Sequence, residues 1–168
     1  MVKLISDLKD EGYMVDYLPF YHGRDEKIVE DVQRALNSSD RVLQYGKDFA
    51  LQDIDELFAS YDIGVCMKFH AVLLAVKNSL PCLAICYDHK SEQLLKEAGL
   101  SEYGVRYGIR TSEFFGEERD LDSSVVNNIM KKVKTDSIDF VVKSKAFAAS
   151  KQASVNDNYR IIFEEILR

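Results

Sequence analysis

An α/β fold, a Rossmann-like parallel sheet flanked by helices, is predicted because short apolar segments alternate with amphipathic segments of about ten residues. Two apolar segments, 63–67 and 82–86, contain no charged side chain, as is typical of central strands covered on both faces. The second follows Pro81, which is tolerated at the start of a strand because its missing N–H is not needed there. Together, these features predict βαβ units.

The segments before these strands predict the same alternation. Helices are predicted at 3–11, 26–37 and from Asp53 onward, with strands at 14–20 and 42–45. Leu4, Ile5 and Leu8 share one face of the first helix, which predicts that this face is buried. Asp53 is predicted to be a helix N-cap, because Glu56 stands three residues later as a capping-box partner.

The remaining segments complete the sheet and add helices behind it. Every residue from Ala71 to Val76 is apolar, which predicts a helix buried on most sides, and 91–98 predicts another helix. Residues 100–122 are predicted to be a loop with one short strand, and three apolar stripes, at 125–133, 138–149 and 159–166, predict C-terminal helices. We expect a single domain over 1–168, with a sheet core at about 1–110 and the helices at about 123–168.

Composition narrows the classes of function. The formal net charge of −6 is offset by no basic tract, which argues against general nucleic-acid binding. No apolar run reaches the roughly 18 to 20 residues needed to span a bilayer. Charged residues come too early for a signal peptide, so a cytoplasmic location is expected. The chain also lacks the glycine-rich motifs of dinucleotide-binding and P-loop proteins and the nucleophile elbow of serine hydrolases.

The three cysteines, Cys66, Cys82 and Cys86, all lie in the apolar strand segments. An odd number of cysteines in such positions argues against a disulfide framework. Cys82 and Cys86 are four residues apart on one predicted strand and so share a face. Because free cysteine is among the most buried residue types, we expect buried structural thiols and no metal site.

Four loops are predicted at the carboxyl ends of the strands, where doubly wound sheets bind ligands. Each contains a basic or hydrogen-bonding side chain: Phe20–Gly23 with His22, Tyr45–Lys47, Lys68–His70, and Tyr87–Lys90 with His89. The third loop is the most informative, because a long apolar helix begins there. A helix N-terminus favours anions, and a lysine and an imidazole add to that preference.

Each of these residues also has an ordinary structural explanation. Lys68 and His70 are explained equally by solvated positions at a helix start, and His22 by an exposed loop. His89 and Lys90 are explained by a plain turn, and Tyr87 by an aromatic residue that ends a strand. From residue spacing and chemistry alone, the interpretation stops at an anion-binding α/β domain.

The stretch from Met67 to Lys90, MKFHAVLLAVKNSLPCLAICYDHK, resembles the signature of the polysaccharide pyruvyl transferase family. That signature contains Arg-Leu-His, an apolar helix, a proline-led apolar strand, a tyrosine and a lysine. Upstream, PFYHGRD and the helix DIDELFASYD before IGVCM also fit. The resemblance covers about residues 1–100 and is specific mainly at 62–90.

The resemblance implies a fold like the C-terminal, donor-binding domain of a glycosyltransferase of the GT-B type. It also implies transfer of pyruvate from phosphoenolpyruvate to a sugar of a cell-surface polysaccharide, without a cofactor or metal. By position, Lys68, Phe69 and His70 correspond to the Arg-Leu-His motif and Lys90 to the terminal lysine. His70 is then the expected general acid or phosphate partner, and Lys68 and Lys90 bind the anionic groups. Tyr87 and His22 are further candidates for lining the pocket.

Two departures from the family pattern leave alternatives open. Lys68 replaces an arginine, and a lysine lacks the planar fork that binds carboxylate or phosphate through two hydrogen bonds. The family's proteins are also considerably longer, so this chain is expected to represent the C-terminal half without the acceptor-binding domain. The alternatives are the donor-binding half of a nucleotide-sugar glycosyltransferase and a degenerate domain without catalytic activity.

Overall fold

The computed structural model describes residues 1–21, 23–108 and 121–166, with the backbone alone from residue 155 onward. The chain divides into two compact units, Met1–Leu57 and Phe58–Arg168. The second unit contains a parallel sheet flanked by helices, which confirms the predicted α/β class. His22, a candidate site residue, lies outside the described residues.

The first unit contains two packed helices, α1 (Val2–Asp10) and α2 (Arg24–Leu36). The predicted face of α1 is buried. The predicted strands at 14–20 and 42–45 are wrong in extent, because only single parallel bridges form, Tyr17 to Val42 and Tyr45 to Phe49. Pro19 has no N–H with which to extend the first bridge. Met14 is 96% exposed, so the start of that segment has no apolar surface to pack against.

The helix predicted to begin at Asp53 begins differently. A 3₁₀ turn at Leu51–Asp53 precedes α3 (Ile54–Ala59). The carboxylate of Asp53 accepts a hydrogen bond from the backbone N–H of Ala50 at 3.0 Å. Asp53 is therefore the last residue of the 3₁₀ turn, and its side chain caps the start of that turn. Its assignment as the N-cap of α3 is wrong.

The sheet has three parallel strands in the order β1 (Gly64–Cys66), β2 (Cys82–Cys86) and β3 (Gly104–Arg106). The central strand β2 is buried at all five positions, as its uninterrupted apolar sequence predicts. Strand β3 is the short strand predicted within 100–122. Gly104 permits close packing against the next layer, because a Cβ there would lie 2.6 Å from Cδ1 of Leu95.

Two helices connect the strands, α4 (Phe69–Lys77) between β1 and β2 and α5 (His89–Glu97) between β2 and β3. They contact one another and the sheet. Both crossovers run in the same direction along the sheet, so right-handed connections place the two helices on one face. Helix α5 begins two residues earlier than the predicted Ser91, because the carboxylate of Asp88 accepts the Ser91 N–H at 2.8 Å and caps the helix.

The C-terminal segment forms α6 (Ser123–Thr135) and α7 (Ser137–Ile166). The stripes predicted at 138–149 and 159–166 therefore belong to one helix. Helix α6 contacts β2 and β3, and α7 contacts α4 and α6.

A charged network ties these helices to the turn before β3. The Tyr103 hydroxyl donates to Asp139 at 3.1 Å, and Lys143 bridges Asp139 at 2.8 Å and Glu102 at 3.0 Å. Burial, followed by the hydrogen bond to Asp139, raises the pKa of Tyr103 to about 12. The phenol is therefore a neutral hydrogen-bond donor at physiological pH, anchoring α7 to the sheet.

The three cysteines are buried, as predicted, and their thiols are free. Hydrogen bonding with Cys66, and then burial, raises the pKa of the Cys82 thiol well above its usual range. Burial raises the pKa of the Cys86 thiol to about 12. Thiols that stay protonated are poor nucleophiles, so Cys82 and Cys86 serve as core residues.

Candidate functional site

Two helix N-termini meet at the carboxyl edge of the sheet. Strand β1 ends at Cys66 and α4 begins at Phe69, while β2 ends at Cys86 and α5 begins at His89. Because the strands are parallel neighbours, both connections lie at the same edge. This is the edge at which open α/β sheets bind ligands, and it includes two of the four loops predicted to do so.

The N-terminus of α4 has an unusual cap. Lys68 occupies the N-cap position with extended backbone angles, and its side chain makes no cap hydrogen bond. A lysine ammonium has no acceptor to offer, whereas Ser, Thr, Asp and Asn are the preferred N-caps. The first turn also contains no acidic residue. The first hydrogen bond of the helix runs from the Val72 N–H to the Lys68 carbonyl at 3.0 Å. The N–H groups of Phe69, His70 and Ala71 come before it and therefore have no acceptor within the helix.

Helix α5 has a conventional N-terminus by comparison. Its N-cap Asp88 accepts a hydrogen bond from the third residue of the helix, and Glu92 adds a carboxylate in the first turn. These side chains already satisfy the preference of the helix dipole for negative charge. Of the two neighbouring N-termini, α4 is therefore the one whose N-cap and first turn contain no carboxylate.

The predicted residues around α4 differ in exposure. Lys68 and Phe69 are half-buried, and His70 is exposed. The imidazole of His70 lies edge-on to the Phe69 ring, with 5.6 Å between the ring centroids. Tyr87, the first residue after β2, is half-buried. An exposed imidazole beside the first turn is accessible to a ligand bound there.

An open depression of about 720 Å³ lies beside these residues and is called the α5 depression here. It brings together three predicted residues, Phe69, His89 and Lys90, with Arg106 and part of α5. The other lining residues are Glu92, Gln93, Leu94, Lys96 and Glu97. Lys68 and His70 flank Phe69 in sequence, but they and Tyr87 do not line this depression. The loop at 45–47 belongs to the first unit, where the Tyr45 ring packs against Phe49 at 5.8 Å.

Sequence reasoning missed an ion pair within the α5 depression. Arg106 donates from Nε to Glu92 Oε1 at 2.5 Å and from Nη2 to Oε2 at 2.8 Å. The Nδ1 atom of His89 lies 3.9 Å from the same carboxylate. These hydrogen bonds raise the pKa of Arg106 above its ordinary value. One signal was available, because Arg106 ends the strand Gly-Val-Arg and so belongs to the same carboxyl edge.

The described residues contain no group of three or more His, Cys, Asp or Glu side chains that could hold a metal ion. Within the same described ranges, no helix is long and apolar enough to cross a membrane.

Comparison with known proteins relates part of the chain to a protein of known pathway. The chain is 27% identical over 106 residues to the amylovoran biosynthesis protein AmsJ of Erwinia amylovora. The match covers 60% of this chain and 26% of that protein, so the chain spans about a quarter of its relative. No protein-family model matches the chain, and no solved structure matches it. The likeness to a GT-B domain therefore stays a prediction, while the similarity relates the chain to a protein of amylovoran biosynthesis.

Proposed function

We propose that the chain acts in polysaccharide biosynthesis and binds phosphoenolpyruvate as the donor of a pyruvate ketal. The similarity to an amylovoran biosynthesis protein supports the broader role. The resemblance of residues 67–90 to the pyruvyl transferase signature supports the specific reaction. Because the chain aligns with only 26% of its relative, donor binding is the property that we propose for this chain itself.

The observation that carries the proposal is the N-terminus of α4, where Lys68 replaces an accepting cap. Phosphoenolpyruvate has a phosphate and a carboxylate, and either group can accept hydrogen bonds from the first N–H groups of the helix. The Lys68 ammonium adds a positive charge at the same place. Helix N–H groups, dipole and ammonium all favour an anion, and none of them favours a cation.

The reaction assigns roles to the side chains. Protonation of the methylene carbon makes the enol carbon electrophilic, and a sugar hydroxyl adds to it. The bond from that carbon to the phosphate oxygen then breaks, phosphate leaves, and a second hydroxyl closes the ketal. His70 is proposed as the general acid or phosphate partner, since histidine exchanges protons near neutral pH. Lys68 and Lys90 bind the anionic groups, and Phe69 and Tyr87 line the pocket.

A nucleotide-sugar glycosyltransferase is the competing function, and one observation favours it. Glu92 places a carboxylate near the carboxyl edge of the sheet, where it could accept hydrogen bonds from ribose hydroxyls. Both of its oxygens are already bound by Arg106, however, at 2.5 and 2.8 Å. Phosphoenolpyruvate is therefore the preferred donor.

Calorimetric titration with phosphoenolpyruvate and with uridine diphosphate separates the two functions. We expect phosphoenolpyruvate to bind at least about tenfold more tightly, a difference of about 1.4 kcal/mol. Pyruvate and inorganic phosphate serve as controls and should each bind more weakly, because each has only one of the two anionic groups. Tighter binding of uridine diphosphate would favour the glycosyltransferase, and no binding of either would favour a domain without catalytic activity.

A further inference from the structure

We propose that Arg106 is a donor-binding residue of the same site and that Glu92 is its positioning residue. This inference rests on the proposed function, because it assigns Arg106 to the anionic groups of phosphoenolpyruvate. It supplies the planar, two-pronged anion contact that Lys68 cannot make.

The fold places Arg106 at the correct edge of the sheet. It is the last residue of β3 and pairs in register with Cys86, the last residue of β2. The chain continues from Cys86 through Tyr87 and Asp88 into α5. Arg106 also lines the α5 depression together with Phe69 and Lys90, which correspond by position to the leucine and the terminal lysine of the pyruvyl transferase signature.

The hydrogen bonds of Arg106 orient its guanidinium and leave a second pair of donors. A guanidinium carries five N–H groups in one plane. Glu92 accepts from Nε and from one N–H of Nη2. The remaining donors are both N–H groups of Nη1 and one of Nη2. One N–H of Nη1 and the free N–H of Nη2 are parallel and form a second fork. The described contacts assign no other hydrogen bond to this fork, and a carboxylate or phosphate fits it through two parallel hydrogen bonds.

Exposure of the two partners supports this division of roles. The Glu92 side chain is 24% exposed, while the Arg106 side chain is 67% exposed. The less exposed carboxylate is suited to fix the arginine, and the exposed end of the arginine is accessible from solvent. Arg34 also pairs with a carboxylate, Asp31 at 2.9 Å, but it belongs to the first unit and does not line the α5 depression.

The inference also accounts for the lysine at position 68. A lysine supplies charge without a fork, so it holds an anion without fixing its orientation. An arginine at the end of β3, on the far side of β2 from the strand that precedes Lys68, can fix that orientation from across the sheet edge. Lys68 would then attract one anionic group, while Arg106 would bind the other in a defined plane.

The test compares Arg106→Lys and Arg106→Gln with the unchanged chain in titrations with phosphoenolpyruvate and with inorganic phosphate. Because hydrogen bonds to charged groups contribute substantially, we expect Arg106→Lys to weaken phosphoenolpyruvate binding by about tenfold and Arg106→Gln by more. The matched control Arg34→Gln removes another paired, exposed arginine and should leave the affinity unchanged. Unchanged affinity in both Arg106 variants, with their folding verified by circular dichroism, would overturn the proposal.

A double-mutant cycle tests the positioning role of Glu92. Glu92→Gln should weaken phosphoenolpyruvate binding when Arg106 is present and have no further effect in Arg106→Gln. A merely structural role of Glu92 would lower the affinity equally in both backgrounds, and that result would refute the positioning role.

The outcomes also separate this inference from the proposed function. If Lys68→Ala weakens phosphoenolpyruvate binding and the Arg106 variants do not, the proposed function stands and this inference fails. If phosphoenolpyruvate does not bind at all, the proposed function fails. The titration with inorganic phosphate then decides the inference. If phosphate binds and its binding requires Arg106, Arg106 is retained as an anion-binding residue. If phosphate does not bind, or binds equally well without Arg106, the inference is rejected.

Discussion

Lys68→Ala is expected to weaken phosphoenolpyruvate binding by about 10- to 100-fold, as is typical when a charge-assisted hydrogen bond is lost. Lys68 is half-buried and occupies the N-cap position of α4, next in sequence to the residues of the first turn. Removing the ammonium deletes one positive charge and leaves the helix dipole, Lys90 and Arg106 to attract the donor. Calorimetric titration measures the change directly, and His70→Ala should act in the same direction.

Lys77→Ala is the matched control for this variant. Lys77 is exposed in the last turn of the same helix, at the opposite end from the proposed site. Its removal changes the net charge of the chain by the same amount, so it should lower the affinity only through long-range electrostatics, which salt screens. If Lys68→Ala and Lys77→Ala weaken binding equally in moderate salt, the proposed role of Lys68 is wrong.

Ile85→Ala is expected to lower the free energy of unfolding by about 2–5 kcal/mol, as for other large-to-small changes in buried cores. Ile85 is completely buried in β2, the central strand of the sheet. Truncation leaves a cavity between the sheet and the helices that cover it. Urea denaturation followed by circular dichroism measures the change through the midpoint and slope of unfolding.

Ile138→Ala provides a control with the same chemical change in a different environment. Ile138 lies on α7 and is 79% exposed, so its truncation creates no cavity. We expect a change within about 0.5 kcal/mol for such a surface position. Similar losses of stability in the two variants would show that β2 is not the buried centre of the folded chain.

The sheet was the most predictable part of the fold, because its signals are local and strong. The apolar segments at 63–67 and 82–86 contain β1 and β2, and Pro81 immediately precedes β2. The buried face of α1 followed from helical spacing. The prediction for β2 succeeded because a strand buried on both faces must be apolar at every position. The prediction of a central position was wrong for β1, which lies at the edge of the described sheet and is half-buried at Gly64 and Val65.

The errors occur where tertiary contacts decide between local alternatives. Tyr17 and Val42 pair through one bridge, although their segments have the composition of strands. Helix α7 is continuous from Ser137 to Ile166, although its apolar stripe is interrupted. The packing of α7 against α4 and α6 cannot be predicted from the local spacing of apolar residues. The start of α5 was misplaced because Asp88 was assigned to a loop rather than to a helix cap.

The candidate site was predictable in its location but not in its composition. The rule that ligands bind at the carboxyl ends of parallel strands selected the loops before α4 and α5. Arg106 was missed because the short strand predicted within 100–122 was given no bounds, so the residue at its carboxyl end was not identified. Glu92 was missed because a carboxylate does not fit a search for cations, and its role depends on the arginine that it binds.

The most direct test of the central claim is a titration of the ¹⁵N-labelled chain with phosphoenolpyruvate, monitored by the chemical shifts of the backbone amides. If the N-terminus of α4 binds the donor, the amides of Phe69, His70 and Ala71 should shift most, and Lys68→Ala should reduce these shifts at equal ligand concentration. Saturable shifts confined to other parts of the chain, with these three amides unchanged, would contradict the claim.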